Sequence, residues 1–369
     1  LRFTRIACAR CAPDSGSRRI RAKPENVQHM RRACNGYANQ HSLRLTAFPR
    51  QSPMNQNKQW SIDDITPQHG RRVIITGANS GIGYHVAAIL ARTGAEVVLA
   101  CRDEQRGADA LSRLQRELPA ARLRLERLDL ASLASVRAFC DRELAQCRPL
   151  DILINNAGVM APRRRLETVD GFELQFGTNV LGHFALTRLL LPALEMAAGA
   201  SAERPRVVTV ASIAHKTGRL DFDDLQATRR YRPMTAYRQS KLANLMFAFE
   251  LDRRLRAARS RVMSVAAHPG VANTNLFRAD HFAASPIVRS ALGGLIDILF
   301  NSDQTGALST LYAATAADVV DGGYYGPLGL FETRGRDVGP ANVASQARNG
   351  TDARRLWQAC ESLTGTATG

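Results

Sequence analysis

Tyr237 and Lys241 stand four residues apart in a stretch whose apolar spacing is helical, so both side chains leave one face of the predicted helix. A free phenol titrates near ~10, too high for a useful base at neutral pH. A neighbouring ammonium favours the phenolate and lowers that value, which suits the pair to moving a proton to or from an alcohol or carbonyl oxygen. The same spacing occurs on ordinary amphipathic helices, so the pair gains chemical meaning only from its companions. One companion is Thr76-Gly77-Ala78-Asn79-Ser80-Gly81-Ile82-Gly83, lying between a β-branched run and an apolar helical pattern. Glycines at a strand–turn–helix corner let the backbone approach a pyrophosphate at the positive end of a helix. A tight turn without a ligand is the alternative, but the position after the first strand favours a dinucleotide. The second companion is Ala100-Cys101-Arg102-Asp103, at the end of the second predicted strand. A carboxylate there, roughly twenty residues past the glycines, would read the ribose hydroxyls of NAD. Cys101 takes that place and Arg102 follows, a forked guanidinium suited to a ribose 2′-phosphate. The expectation is NADP (as NADPH in reduction) over NAD; the competing reading leaves Arg102 solvated and gives the ribose to Asp103.

These groups need a scaffold that brings strand ends together. Residues 71–77 read as a buried strand, 81–93 as a helix, 96–100 as a strand and 103–118 as a helix. The alternation continues with a strand at 123–128, a helix at 132–145, a strand at 151–155 and a long helix over 180–197. A strand at 206–210, a helix at 236–257 and a strand at 262–267 close the pattern. Strands alternating with helices of ten or more residues imply βαβ units. The expected fold is α/β: a doubly wound, Rossmann-type parallel sheet with helices on both faces, in a single domain over residues 54–369.

Composition supports a folded chain. Its 369 residues are 45% hydrophobic, 22% charged and 6% aromatic, which excludes collagen-like, disulfide-scaffold and wholly disordered classes. No run approaches the ~18–20 apolar residues of a membrane span, and the longest candidate, 291–300, carries Asp297, so a soluble protein with no integral span is expected. The net charge of +17 is uneven: residues 1–53 hold 11 basic and 2 acidic side chains, against 39 and 31 in the remainder. That segment lacks periodicity and is broken by Pro13, Pro24, Pro49 and Pro53, so it reads as a disordered basic extension. It would be translated leader upstream of Met54 or an Arg-rich transit peptide. The basic excess describes this tail more than the fold, and no nucleic-acid partner is expected. The seven cysteines are odd in number and scattered, fitting a reducing, cytoplasmic location. Cys8-x-x-Cys11 is half a zinc site without a second pair, so no metal is expected. His183, His215 and His268 match no metal-binding spacing and are assigned to structure.

Taken in order, several motifs resemble the short-chain dehydrogenase/reductase superfamily across nearly all of residues 60–363. They are TGANSGIG at 76–83, Asp129-Leu130, Asn155-Asn156-Ala157-Gly158, Asn179, Ser212, Tyr237-x-x-x-Lys241 and Pro269-Gly270. The runs GFELQFGTNVLGHF, FDDL and YRQSKLANLMF are similar to the retinol-dehydrogenase-like branch and its bacterial relatives. The resemblance implies Asn179, Ser212, Tyr237 and Lys241 as the catalytic set. Tyr237 would exchange the proton while hydride crosses to or from the nicotinamide, and Ser212 would hold the substrate oxygen. Lys241 would bond the nicotinamide ribose, and Asn179 would order a water linking Lys241 to solvent. It also implies that Asp129, beside Leu130, contacts adenine, and that Asn155 with the Ala157-Gly158 backbone lines the cofactor channel. Pro269, Gly270, Val271 and Thr274 would hold the carboxamide. Two departures stand out: Ala211 replaces a serine common before Ser212, and Val180 replaces a histidine common after Asn179.

Residues 273–300 fall where this superfamily builds a C-terminal substrate lid, and they are rich in Leu, Ile and Phe. They would cover an apolar pocket for a lipophilic alcohol, aldehyde or ketone, retinal- or retinol-like, or else pack on the core or on another subunit of a homo-oligomer. The remaining alternatives are a C=C reductase resembling protochlorophyllide reductase and a regulator that binds NADP without chemistry. The intact catalytic set argues against the second.

Overall fold

A computed structural model describes residues 59–270 and 302–366. The segments expected to form the basic extension (1–53) and the lid (273–300), together with Val271 and Thr274, lie outside the described residues. The β-branched and apolar runs become the strands β1 (Arg72–Thr76), β2 (Glu96–Cys101), β4 (Ile152–Asn155), β5 (Arg206–Val210) and β6 (Met263–Ala267), with β3 (Arg122–Arg127) at the edge. Two further strands, β7 (Tyr324–Pro327) and β8 (Val338–Pro340), complete one sheet of order β3-β2-β1-β4-β5-β6-β7-β8. The chain winds outward from β1 to β3 and returns to β4 beside β1, so a crevice opens beyond the carboxyl ends of β1 and β4.

The helices are α1 (Gly81–Arg92), α2 (Glu104–Glu117), α3 (Leu133–Ala145), α4 (Leu174–Ala200), α5 (Pro233–Ala257), α6 (Asp303–Thr315) and α7 (Gly350–Thr364). Side chains alternate along each strand and so feed two cores. Ile74, Val98, Leu153 and Val207 share one core with α3, α4 and α5 on one face, and α7 adds to it from outside α5. Val73, Ile75, Val97 and Ile154 pack against α1, α2 and α6 on the other. Among the described residues α4 is the one helix long and apolar enough to cross a membrane; 72% of its most apolar window is buried inside the domain.

Two expectations need correction. The helix expected at 180–197 begins at Leu174 and passes through a π-helical turn at Gly177–Gly182 that contains Asn179. The sheet does not end at β6 and is not wholly parallel: β7 adds two paired residues parallel to β6, and β8 runs antiparallel to β7. An antiparallel return needs only a short connection, and strands as brief as YYGP and VGP, broken by Gly and Pro, carry no periodic signal.

Candidate active site

The site is built where strand ends meet helix starts. After β1 the chain turns at Gly77, whose φ of +67° lies in the left-handed region and whose N–H donates to the Ala100 carbonyl at 2.8 Å. A Cβ on Gly83 would stand 2.5 Å from the Gly77 carbonyl oxygen, so only glycine lets α1 start this close to the turn. Ser80 makes no side-chain cap, and the first turn of α1 holds no acidic residue. The positive end of α1 is thus presented to a cavity of about 590 Å³.

That cavity runs from Gly77, Asn79, Ser80, Gly81 and Ile82, past Arg102, Asp129 and Leu130, along Ala157 and Gly158, to Ser212, Tyr237 and Lys241, with Pro269 and Gly270 on its wall. Most of the sequence-derived set is therefore gathered in one place. Four of its described members do not line the cavity. Thr76 is buried beneath the turn, Gly83 serves the helix approach, and Asn179 is buried behind Gly158. Asn155 points the other way, donating from Nδ2 to Thr187 Oγ1 at 2.9 Å, so it does not line the channel as expected. Its neighbour Asn156 does, donating from Nδ2 to the Thr76 carbonyl at 2.8 Å. Adjacent side chains at a strand end face opposite ways, so one of the two asparagines had to turn inward. Asn156 was legible as the second residue of the Asn-Asn-Ala-Gly motif.

Ser212 begins the turn after β5; its carbonyl is held by the ring of His215 at 2.8 Å. His215 Nε2 accepts from the Ala344 N–H at 3.3 Å, so the proton belongs on Nδ1. His268 accepts from the Gly270 N–H at 3.2 Å through Nδ1, and its other nitrogen lies 3.5 Å from the Glu332 carboxylate. Both histidines thus shape turns at the cavity.

Tyr237 and Lys241 share one face of α5, as their spacing requires. The electrostatics differ from expectation. Burial pushes the Tyr237 phenol up to about 12, and a hydrogen bond with Ser212 opposes this only in part. Burial pulls the Lys241 ammonium down to about 8. Lys241 Nζ donates to the Val210 carbonyl at 3.0 Å and sits 6.0 Å from the Tyr237 ring centre. With the amine tied to β5, its charge does not lower the phenol in this state of the site. Asn179 accepts from the Val159 N–H at 2.8 Å and donates to the Val159 carbonyl and to Ser240 Oγ, both at 3.0 Å. A Cβ on Gly158 would lie 3.3 Å from Asn179 Oδ1 and 3.6 Å from Lys241 Nζ, so this glycine keeps a gap open between them.

An open helix N-terminus, a glycine turn and a bare channel at Gly158 fit a long dinucleotide that reaches from Arg102 to Tyr237. Comparison with known proteins agrees. The family model described as short chain dehydrogenase matches residues 71–281. Polyprenol dehydrogenase of Mus musculus is 44% identical over 307 residues, covering 83% of this chain and 87% of its own length. Retinol dehydrogenase 13 of Homo sapiens is 41% identical over 300 residues, covering 80% and 85%. A crystal structure of a protein from Mycobacterium Paratuberculosis is 41% identical with a TM-score of 0.66, covering 85% of this chain and all of that one. The NADP complex of Pseudomonas aeruginosa RhlG is 26% identical with a TM-score of 0.54, covering 69% and 94%. The crevice and these relatives identify the chain as an NAD(P)-dependent oxidoreductase that belongs to the short-chain dehydrogenase/reductase superfamily, in its retinol-dehydrogenase-like branch.

Proposed function

We propose that the chain transfers hydride between NADP(H) and the carbonyl or alcohol carbon of a lipophilic substrate, with Tyr237 as the proton donor and acceptor. The observation that carries this is the convergence of Ser212, Tyr237 and Lys241 at one end of a cavity whose other end is the glycine turn. The NADP preference is supported by Asp103. Its carboxylate, which also borders the cavity, caps α2 through the Arg106 N–H at 3.0 Å and lies 3.5 Å from the Arg106 guanidinium, so both its oxygens already face partners on α2. Arg102 remains exposed at the cavity edge, and Cys101 is buried. The four described cysteines are free thiols, which suits the reducing, cytoplasmic location we assign.

In reduction the phenol of Tyr237, still protonated at neutral pH, donates to the substrate oxygen as charge grows on it. Ser212, hydrogen-bonded to that phenol, holds the same oxygen in line. When bound, the cofactor supplies the hydride and, once oxidised, a positive ring. Lys241 returns the proton to Tyr237, and Asn179 holds the opening through which solvent reaches Lys241. Oxidation reverses these steps. Val159, Met160, Ile213 and Met234 line the substrate end, favouring an apolar aldehyde or ketone, in line with relatives named retinol and polyprenol dehydrogenases. The test is a panel of retinal, long-chain aldehydes and aromatic ketones with NADPH and NADH, run beside Tyr237→Phe. That variant keeps the ring, loses the transferable proton, and should lose at least ~100-fold in rate. Activity within a few-fold of the parent overturns the role of Tyr237.

A further inference from the structure

His183 is fully buried in α4, one helical turn past Asn179, and takes no part in the chemistry above. Its surroundings fix where its proton sits. Thr76 Oγ1 accepts from the N–H groups of Asn156 and Ala157, each at 2.9 Å. A hydroxyl has two lone pairs and one proton, so with both lone pairs engaged Thr76 must donate. His183 Nε2 lies at 2.9 Å, closer than the alternative acceptor, the Ile154 carbonyl at 3.4 Å. Nε2 is therefore bare and Nδ1 carries the hydrogen, which it donates to the Asn179 carbonyl at 3.0 Å. Burial, with the Lys241 charge nearby, pulls the imidazole down to about 4, so it stays neutral and cannot donate from both nitrogens. The result is a directional chain from the Asn156-Ala157 amides, through Thr76 and His183, to the backbone of Asn179.

We propose that His183 is a positioning residue that couples the order of the cofactor-facing turn at Asn156–Ala157 to the placement of Asn179, and through it to the opening beside Lys241. Asn179 sits in a π-helical turn, a local departure from the α4 ladder that needs an outside hold. The His183 ring supplies it to the Asn179 carbonyl, while Val159 and Ser240 hold the side chain. This inference rests on the reading of Tyr237 and Lys241 as the proton path.

Two amides separate the two ends of the imidazole. The side chain of His183→Gln reaches the Nε2 position and keeps Thr76, while losing Asn179. That of His183→Asn reaches the Nδ1 position and keeps the Asn179 carbonyl. Displacing a group by about 1 Å costs up to ~100-fold in rate, so His183→Gln should lose ~10–100-fold in kcat with its NADPH Kd within threefold of the parent. His183→Asn should recover most of that kcat. Equal losses in the two variants, following their melting temperatures, or an unchanged kcat in His183→Gln, overturn the proposal. A second measurement needs no turnover: 15N spectra of the histidine-labelled parent at pH 7, with the His183 signal identified by its loss in His183→Gln, should show His183 as the neutral Nδ1–H tautomer. The opposite tautomer or an imidazolium overturns the chain of bonds whatever the activity. A parent that turns over no carbonyl, with the expected tautomer present, overturns the reading of Tyr237 and leaves the positioning geometry standing.

Discussion

Replacing Arg102 by alanine tests the cofactor end of the site. The guanidinium is exposed at the cavity edge, and the carboxylate next to it in sequence, Asp103, already caps α2. Two forked hydrogen bonds to a ribose 2′-phosphate would each contribute ~1.5–3 kcal/mol in a dry site. Exposure and salt reduce this, so ~1.5–3 kcal/mol for the pair is the working figure. Since 1.4 kcal/mol is a factor of ten, Arg102→Ala should raise the Kd for NADPH by ~10–100-fold. NADH lacks the phosphate, and its Kd should stay within threefold. Titration of nucleotide fluorescence or calorimetry measures both without a substrate. For the parent protein, NADPH affinity should also fall more steeply with salt than NADH affinity. Equal weakening of the two nucleotides would mean that Arg102 only supports the corner between β2 and α2. Unchanged NADPH affinity would move the phosphate to Arg106, which also borders the cavity.

Lys241 sets a pH limit: its ammonium, held down to about 8, is charged below that pH and neutral above it, while the Tyr237 phenol stays protonated to about 12. In the proposed cycle Tyr237 gives the substrate its one proton and Lys241 must be charged to replace it, so kcat for carbonyl reduction should be flat from pH 6 to 7.5 and fall through an apparent value near 8; a profile flat to pH 10 would contradict this assignment. Trp357→Ala should destabilise the fold by ~3 kcal/mol, near the lower end for a buried aromatic, because the indole N–H has no hydrogen-bond partner among the described residues and its removal recovers part of the loss. A urea midpoint that drops with unchanged slope measures it, and a shift worth less than ~1 kcal/mol would show that α7 is not integral to the core.

Five of the first six strands are legible because each is a compact β-branched or apolar run, as in RVIIT and EVVLAC, next to a helix with its own period; β3, RLRLER, shows instead by its alternation of Leu with charged residues. Beyond β6 the signal fails. The strands YYGP and VGP owe their place to the edge already formed, not to their own propensity. At the site, the shared face of Tyr237 and Lys241 follows from spacing alone. The hold of Val210 on the amine does not, because it depends on how closely α5 lies on the end of β5. The choice between Asn155 and Asn156 turns on which of two adjacent side chains a strand end sends inward. His183 looks like a core histidine in an apolar helix, and its partner Thr76 lies over a hundred residues earlier in the chain.

The covering of α5 by α7 has a consequence for biogenesis. Trp357 lies against Phe184 and Phe247, with the guanidiniums of Arg188 and Arg254 over its ring, and α7 also touches the π-helical turn that holds Asn179. Both the phenol-bearing helix and the asparagine turn leave the ribosome long before residue 357. A nascent chain that has made its sheet still exposes an oily flank, attractive to chaperones, and the turn that holds Asn179 lacks its outer brace. Ending the chain just ahead of Gly350 should therefore mimic that immature stage: a molecule that retains nucleotide yet aggregates readily and turns over poorly.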